Sequence, residues 1–425
     1  MVEESRIEEL DKIDDQDFSE EIPKSEGSIV RFLLSQLRPG MSLAKVTLPT
    51  FILETRSTIQ RLTDWMSHAD ILRKVALEDD PVMRCFHLCT WIVSGFHMAP
   101  RLPKKPYNSL LGEVFRASLL NPDGTCGGTY EAEQVSHHPP ISAFYFSDRK
   151  GNSVIWGHSE MRSKFTGNSL AAIMDNENTK VNFECLSRHE TYEFNFPDMY
   201  GRGVLIGTLR MEICGHVRIK CPQTGITALI KFKEKPTFRG KYNEIKGYVY
   251  EPGRKSPKTV IEFTGRWSAY VKATDLRTNK TWLAFDVRKN IPLRIKYPNY
   301  TEQCPYESQF LWQNVTRYLL MKDTKNATEH KLALEDKQRA ERKYYEDNNI
   351  EWKYQRFHYD KEKDRFIPNN LNLTPYSPDE PQQEMSPPFH IPECIQQAQD
   401  AGASKPLQEI FKETQEKIDA ERHRH

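Results

Sequence analysis

Little in this 425-residue chain points to a fixed membrane anchor, a nucleic-acid partner or a disulfide framework. Positive and negative charges nearly cancel, leaving a net +1. With no global field, any recognition of anions has to come from local clusters, and nucleic acid is not expected as a partner. No run of 18 apolar residues occurs, so no helix is expected to span a bilayer. The eight cysteines are scattered and no pair has CxxC spacing; they read as free buried thiols of a reducing cytosol. The acidic, polar first 26 residues lack a secretory pattern, and no lipidation motif is expected at either end. No GxSxG elbow, HExxH or P-loop is present. No metal, cofactor or catalytic residue is therefore expected.

What remains is an ordinary globular composition, 38% hydrophobic and 28% charged, long enough to bury a large core. Residues 1–27 are rich in Asp and Glu and read as a disordered acidic arm. Residues 28–38 place Ile29, Val30, Phe32, Leu33, Leu34 and Leu37 at helical spacing, with Ser28 at the N-cap position and Pro39-Gly40 as the stop. Residues 57–99 read as two or three helices, with start signals at Ser57 and at Asp80-Pro81. From 113 to about 290 the period changes to two. The runs at Ser142–Phe146, Thr208–Cys214, His216–Cys221, Ala228–Lys233 and Val260–Phe263 are bounded by turn residues. Ten or more such strands without intervening long helices imply a meander or barrel wide enough to hold a ligand. Helix returns over 306–345. Residues 366–392 read as a proline-rich surface segment, and 404–421 as a last helix.

The most informative stretch is Glu133-Gln134-Val135-Ser136-His137-His138-Pro139-Pro140. Adjacent residues on a strand point to opposite faces, so the two histidines are poor joint ligands for one metal. Such a pair is most often structural. The prolines nevertheless fix the backbone around the imidazoles, and rigid donors beside lysines suit a phosphate. Lys331, Glu335 and Arg339 lie at i, i+4 and i+8, on one helix face. Taken alone, they read as an exposed salt-bridge ladder.

EQVSHHPP is similar to the signature of oxysterol-binding-protein-related lipid-binding domains. The resemblance extends over about residues 28–375, through Lys104–Glu113 (KKPYNSLLGE), Ser163–Ser169 (SKFTGNS) and Lys331, Glu335 and Arg339. One departure is Ser109, where the family has proline; a change in loop stiffness rather than chemistry is expected. Ser35–Gly40 (SQLRPG) and Leu48–Glu54 (LPTFILE) resemble the members that carry phosphatidylserine.

The resemblance implies an α+β fold: a large, incomplete antiparallel β-barrel around a lipid tunnel. A lid helix at 28–38 (Ile29, Phe32, Leu33) would cover it, with a helical layer near the N-terminus and a C-terminal helical subdomain. Residues 376–425 would form an extension packed on the domain or trailing from it. His137 and His138 would contact the 4-phosphate of phosphatidylinositol 4-phosphate. Lys105, Asn108, Lys331, Glu335 and Arg339 would hold the rest of its headgroup. Leu48, Ile52, Ser163 and Lys164 would serve phosphatidylserine or the tunnel wall. The implied activity is non-catalytic exchange of the two lipids by a cytoplasmic protein visiting endoplasmic-reticulum and plasma-membrane surfaces. A sterol in place of phosphatidylserine, and a phosphoinositide sensor or scaffold, are the competing readings. An enzyme with a histidine general base is a distant third.

Overall fold

The computed structural model describes residues 6–10, 53–98, 104–203, 210–235 and 240–387. The segment 28–38 and the residues Leu48, Ile52 and 404–421 lie outside these, so the lid, that part of the tunnel wall and the last helix are not described.

The framework is β-rich. Strands β1 (Leu53–Ser57) and β2 (Lys105–Tyr107) form a separate parallel pair. The main sheet begins with β3 (Val114–Leu120), β4 (Cys126–His137), β5 (Pro140–Asp148), β6 (Ser153–Phe165) and β7 (Ser169–Met174). It continues through β8 (Lys180–Cys185), β9 (Glu190–Phe194), β10 (Asp198–Arg202) and β11 (Arg210–Lys220). Next come β12 (Thr227–Phe232), β13 (Glu244–Glu251), β14 (Lys258–Arg266), β15 (Tyr270–Asp275), β16 (Lys280–Asp286) and β17 (Arg294–Lys296). Among the described residues these make one 15-stranded antiparallel sheet, running from β16 to β17 without closing. A short hairpin, β18 (Phe357–Asp360) and β19 (Arg365–Pro368), stands apart.

The sheet forks between two of its long strands, β6 and β11. The first half of β6 pairs with β8, and its second half with β7. On the far side β11 pairs with β10 over Arg210–Cys214 and with β9 near Lys220. The β8–β9 branch packs Val181, Phe183, Tyr192 and Phe194 into the core, while the β7–β10 branch walls a cleft. The two sequence runs at 208–214 and 216–221 thus join into one strand, with Thr208 outside the described residues. The break between them is Gly215, at φ +98°, where β11 changes partner from β10 to β12. Glycine takes that left-handed backbone without a Cβ clash.

The sheet curls around helices rather than closing on itself. Helix α1 (Asp70–Leu77) and helix α2 (Pro81–Phe96) follow a short helical turn at Thr58–Arg61. Ser57 N–H donates to Gln60 Oε1 at 3.0 Å, and Asp80 Oδ1 accepts from Val82 N–H at 2.9 Å. Both start signals therefore act as caps. Helix α2 is buried around nearly its whole circumference and is mostly apolar, with the buried Arg84 paired to Glu190. Phe86 meets Phe263 and Trp282 edge-on, and Phe96 meets Phe232. A Cβ on Gly95 would stand 2.9 Å from Trp65 Cα, so only glycine admits this approach.

C-terminal to the sheet, helices α3 (Gln313–Leu320) and α4 (Thr324–Asp347) form a hairpin. The predicted helix over 306–345 is thus divided at Met321–Asp323. Glu113, fully buried, ties this layer to the sheet. Its carboxylate accepts from Leu110 N–H at 2.9 Å, Ser308 Oγ at 2.6 Å and Trp312 Nε1 at 3.0 Å. Glu133 does the same for the following segment, accepting from the Gln355 and Arg356 N–H groups, although burial pushes its carboxyl up to about 7. Further on, Arg149 holds Glu380 at 2.7 Å. Gln383 Nε2 donates to Thr129 Oγ1 and Ser147 O, both at 2.8 Å.

Replacing a buried acceptor of three donors leaves all three unsatisfied. Glu113→Ala is expected to destabilise the fold by about 3 kcal/mol or more, read as a lower denaturant midpoint. Glu380→Ala removes a partly exposed partner and should move the midpoint far less. Equal effects would remove Glu113 from its place as the tie.

Candidate functional site

A cleft of about 530 Å³ opens between the β7–β10 branch, the turn before α1 and the loop after β2. Its interior is apolar. Leu62, Trp65 and Phe96 form one side, and Met161, Leu170, Met174, Met199 and Met211 the other. Methionine is flexible and polarisable, so this wall can shape itself to an irregular apolar ligand. Ala171, Ala172 and Gly201 keep the branch thin. The mouth is different in kind, with Lys104, Lys105, Asn108, His137, His138, Arg162 and Lys164 around it.

Each mouth residue is placed by an element already described. Pairing of β1 with β2 sets Leu53 opposite Lys105 and Ser57 opposite Tyr107. Tyr107 stacks on Trp312 and shares a 3.0 Å hydrogen bond with Thr316, so Lys105 is carried on a pinned strand. Asn108 follows directly and also lines the cleft. Ser163 and Lys164 lie on β6 opposite Ala172 and Ala171, again on the cleft wall.

His137 ends β4, and β5 begins at Pro140 after a cis His138–Pro139 bond. Alternation along a strand therefore does not apply to the pair. Their rings lie 4.6 Å apart, edge to face, and both line the cleft. The expectation that they face opposite ways is corrected by the turn between them. His137 Nδ1 sits 3.0 Å from the Ser109 carbonyl. A carbonyl can only accept, so Nδ1 carries the hydrogen and Nε2 is left with its lone pair. Ser109 is fully buried, and its Oγ accepts from Ile59 N–H at 3.4 Å. A proline there would lack that contact, so the departure touches chemistry as well as stiffness.

Helix α4 runs beside the histidine turn, lining the second cavity there and not the cleft itself. Lys331 Nζ pairs with Glu335 at 2.7 Å. Burial lowers the ammonium pKa of Lys105, Lys331 lowers it further, and Glu335 partly opposes them. These three groups therefore face one another. His137 is pushed down chiefly by burial, against the Ser109 hydrogen bond, with His138 and Arg342 adding to the fall and Glu335 opposing it. His138 is pushed down by burial and then by Arg342. Arg339 stands apart from this group: it pairs with Asp336 at 3.0 Å and its side chain is 60% exposed. The cation beside the histidines is Arg342, which lines a second cavity of about 300 Å³ together with Ser136, His137, His138, Gln338 and Trp352. The i, i+4, i+8 pattern selects one helix face and passes over Arg342. The methionine wall was equally absent from the sequence reading, since its members are spread over β6, β7, β10 and β11. Among the described residues no group of three or more His, Cys, Asp or Glu is arranged to hold a metal ion.

Comparison with known proteins agrees with this architecture. The family model described as oxysterol-binding protein matches residues 32–317. The chain is 39% identical over 359 residues to human oxysterol-binding protein-related protein 8, covering 83% of this chain and 40% of that protein. It is 36% identical over 360 residues to oxysterol-binding protein 4 of Dictyostelium discoideum, covering 83% and 75% respectively. The chain spans about two fifths of the length of the human and mouse relatives it matches. Among solved structures it resembles the Osh1 ORD domain in complex with ergosterol, with a TM-score of 0.69, 24% identity, and 84% and 89% of the two chains covered. The Osh3 ORD of Saccharomyces cerevisiae in complex with PI(4)P gives a TM-score of 0.61 at 18% identity, covering 81% and 91%.

The placement of Arg342 is open to direct test. Removing a cation near an imidazole makes its protonation easier. In Arg342→Ala, histidine NMR titration should show the pKa values of both His137 and His138 rising. Arg339→Ala should move neither. Unmoved resonances in Arg342→Ala would take this residue out of the site.

Proposed function

The chain belongs to the oxysterol-binding protein family, and from that premise we propose that it is a lipid exchanger. It takes phosphatidylinositol 4-phosphate and phosphatidylserine in turn into the one cleft, without chemical change to either. The observation that carries this reading is the union of an apolar, methionine-walled interior with a cationic and histidine-bearing mouth. An amphipathic ligand with a phosphorylated head matches both halves. Acyl chains leave water for the interior, at roughly 0.8 kcal/mol per CH₂. The inositol phosphate meets Lys105, Lys331, His137 and His138, with Arg342 behind the histidines, while Glu335 accepts from a ring hydroxyl. Asn108 donates to the same headgroup. Arg339 joins on loading by turning inward from Asp336.

Phosphatidylserine brings a carboxylate, an amine and a phosphodiester. Ser163 and Lys164, on the β6 strand that pairs with β5, offer a hydroxyl and an ammonium for that head. Two headgroups held by different residues over one shared interior make exchange possible. A phosphoinositide gradient between two membranes then drives the serine lipid against its own gradient. Endoplasmic reticulum and plasma membrane are the pair we propose, with the protein cytoplasmic between visits.

The test loads purified protein from liposomes containing phosphatidylserine, sterol and phosphatidylinositol 4-phosphate, and identifies the bound lipids by mass spectrometry. Phosphatidylserine and the phosphoinositide are expected in the unaltered protein, and the phosphoinositide alone should be lost from the His137→Ala, His138→Ala variant. Sterol in place of phosphatidylserine would overturn the choice of second cargo. An empty protein would overturn the carrier.

A further inference from the structure

The stretch from 287 to 301 takes no part in the cleft. It carries Arg288, Lys289, Arg294 and Lys296 and not one Asp or Glu. All four cations are exposed. Ile291 among them is 73% exposed, and just after them Tyr297 is 39% and Tyr300 53% exposed. Among the described residues, Arg288 reaches Glu9 at 3.7 Å, and Lys289, Arg294 and Lys296 have no ion pair.

The segment is held in place. Asp286 Oδ1 accepts from Arg288 N–H at 2.9 Å, and the Asp286 carbonyl accepts from the Lys289 and Asn290 N–H groups. Leu293 is buried, and its N–H donates to Ser67 O at 2.7 Å. Strand β17 pairs with β3 and ends the sheet. Cations on an edge strand discourage pairing with other chains, which accounts for Arg294 and Lys296. It does not account for an isoleucine and two tyrosines held out in water beside them. Tyrosine with Lys and Arg around an aliphatic tip is the composition that rests at a bilayer interface.

Its position fits that occupant. Tyr297 sits against Phe115 and near Arg56 and Asp64, and Leu293 is bonded to Ser67. Leu62, Asp64 and Trp65 on that same turn line the cleft, so the segment lies next to the cleft's own wall.

We propose that residues 287–301 are a docking surface for an anionic bilayer, which holds the wall of the cleft against the membrane. The proposal rests on the carrier reading above, because it supplies the step by which a carrier meets its lipids. An acidic protein partner is the other occupant of matching charge.

The experiment is flotation with vesicles of phosphatidylcholine alone and of phosphatidylcholine with phosphatidylglycerol, an anionic lipid that is neither proposed cargo. Unaltered protein should bind the anionic vesicles, less so as salt rises. Each cation lost should weaken binding about fivefold. Arg294→Glu with Lys296→Glu should therefore lower it by well over tenfold, and Ile291→Ser by a few fold. Binding of a soluble short-chain phosphatidylinositol 4-phosphate by the same variants should be unchanged, showing that fold and cleft are intact. The His137→Ala, His138→Ala variant should dock normally. Equal flotation of the charge-reversed variant and the unaltered protein would overturn the proposal and leave an acidic protein as the surface's partner. Normal docking by a protein that binds no lipid would keep the surface and overturn the carrier instead.

Discussion

Like charge held together at the mouth of an oily cleft is the constraint on which the rest depends. Burial and then the Lys331 charge weaken the hold of Lys105 on its proton, and Glu335, paired with Lys331, partly opposes them. Arg342 stands against two histidines that burial already keeps neutral. Water leaves such a cluster undercompensated, whereas a phosphate satisfies it. Because the Ser109 carbonyl takes the Nδ1 hydrogen of His137, a phosphate oxygen at Nε2 requires a proton there. The free histidines have lowered pKa values and phosphate raises them. In the function proposed above, headgroup binding therefore takes up protons and should weaken as pH rises through that interval.

The scaffold exists to hold this cluster apart from solvent yet open to it. The fork at β6 and β11 supplies both needs. One branch packs into the core and the other is thin enough to wall a cavity. Helix α2 fills the space the sheet would otherwise have to close around, and Phe96 near its end lines the cleft. Glu113, just before β3, and Glu133, on β4, then fasten the C-terminal helices and the segment after them to the sheet. A cleft of about 530 Å³ is in the range that holds one ligand. Two lipids that both need it exclude one another, which is all that coupling requires.

Much of this was legible in the residues. Period-two runs reported the sheet, Asp80-Pro81 marked the start of α2, and EQVSHHPP located the mouth. What was not legible has physical reasons. Gly215 breaks a hydrophobic run without ending the strand, because a left-handed residue redirects pairing rather than stopping it. His137 and His138 converge because the chain turns between them, and strand alternation knows nothing of turns. Arg342 was missed because helix spacing alone finds a face, whereas its role comes from the β4–β5 turn packed against α4. The methionine wall is assembled from four strands and has no local signature.

The central claim is that one cavity serves two lipids in turn. Its most direct test follows transfer of a fluorescent phosphatidylserine between two vesicle populations, with and without phosphatidylinositol 4-phosphate in the acceptor. Shared occupancy predicts that the phosphoinositide speeds transfer and moves the serine lipid beyond equal distribution, with equimolar phosphoinositide travelling the other way. Transfer that is indifferent to the phosphoinositide, or slowed by it in either membrane alike, would contradict the account.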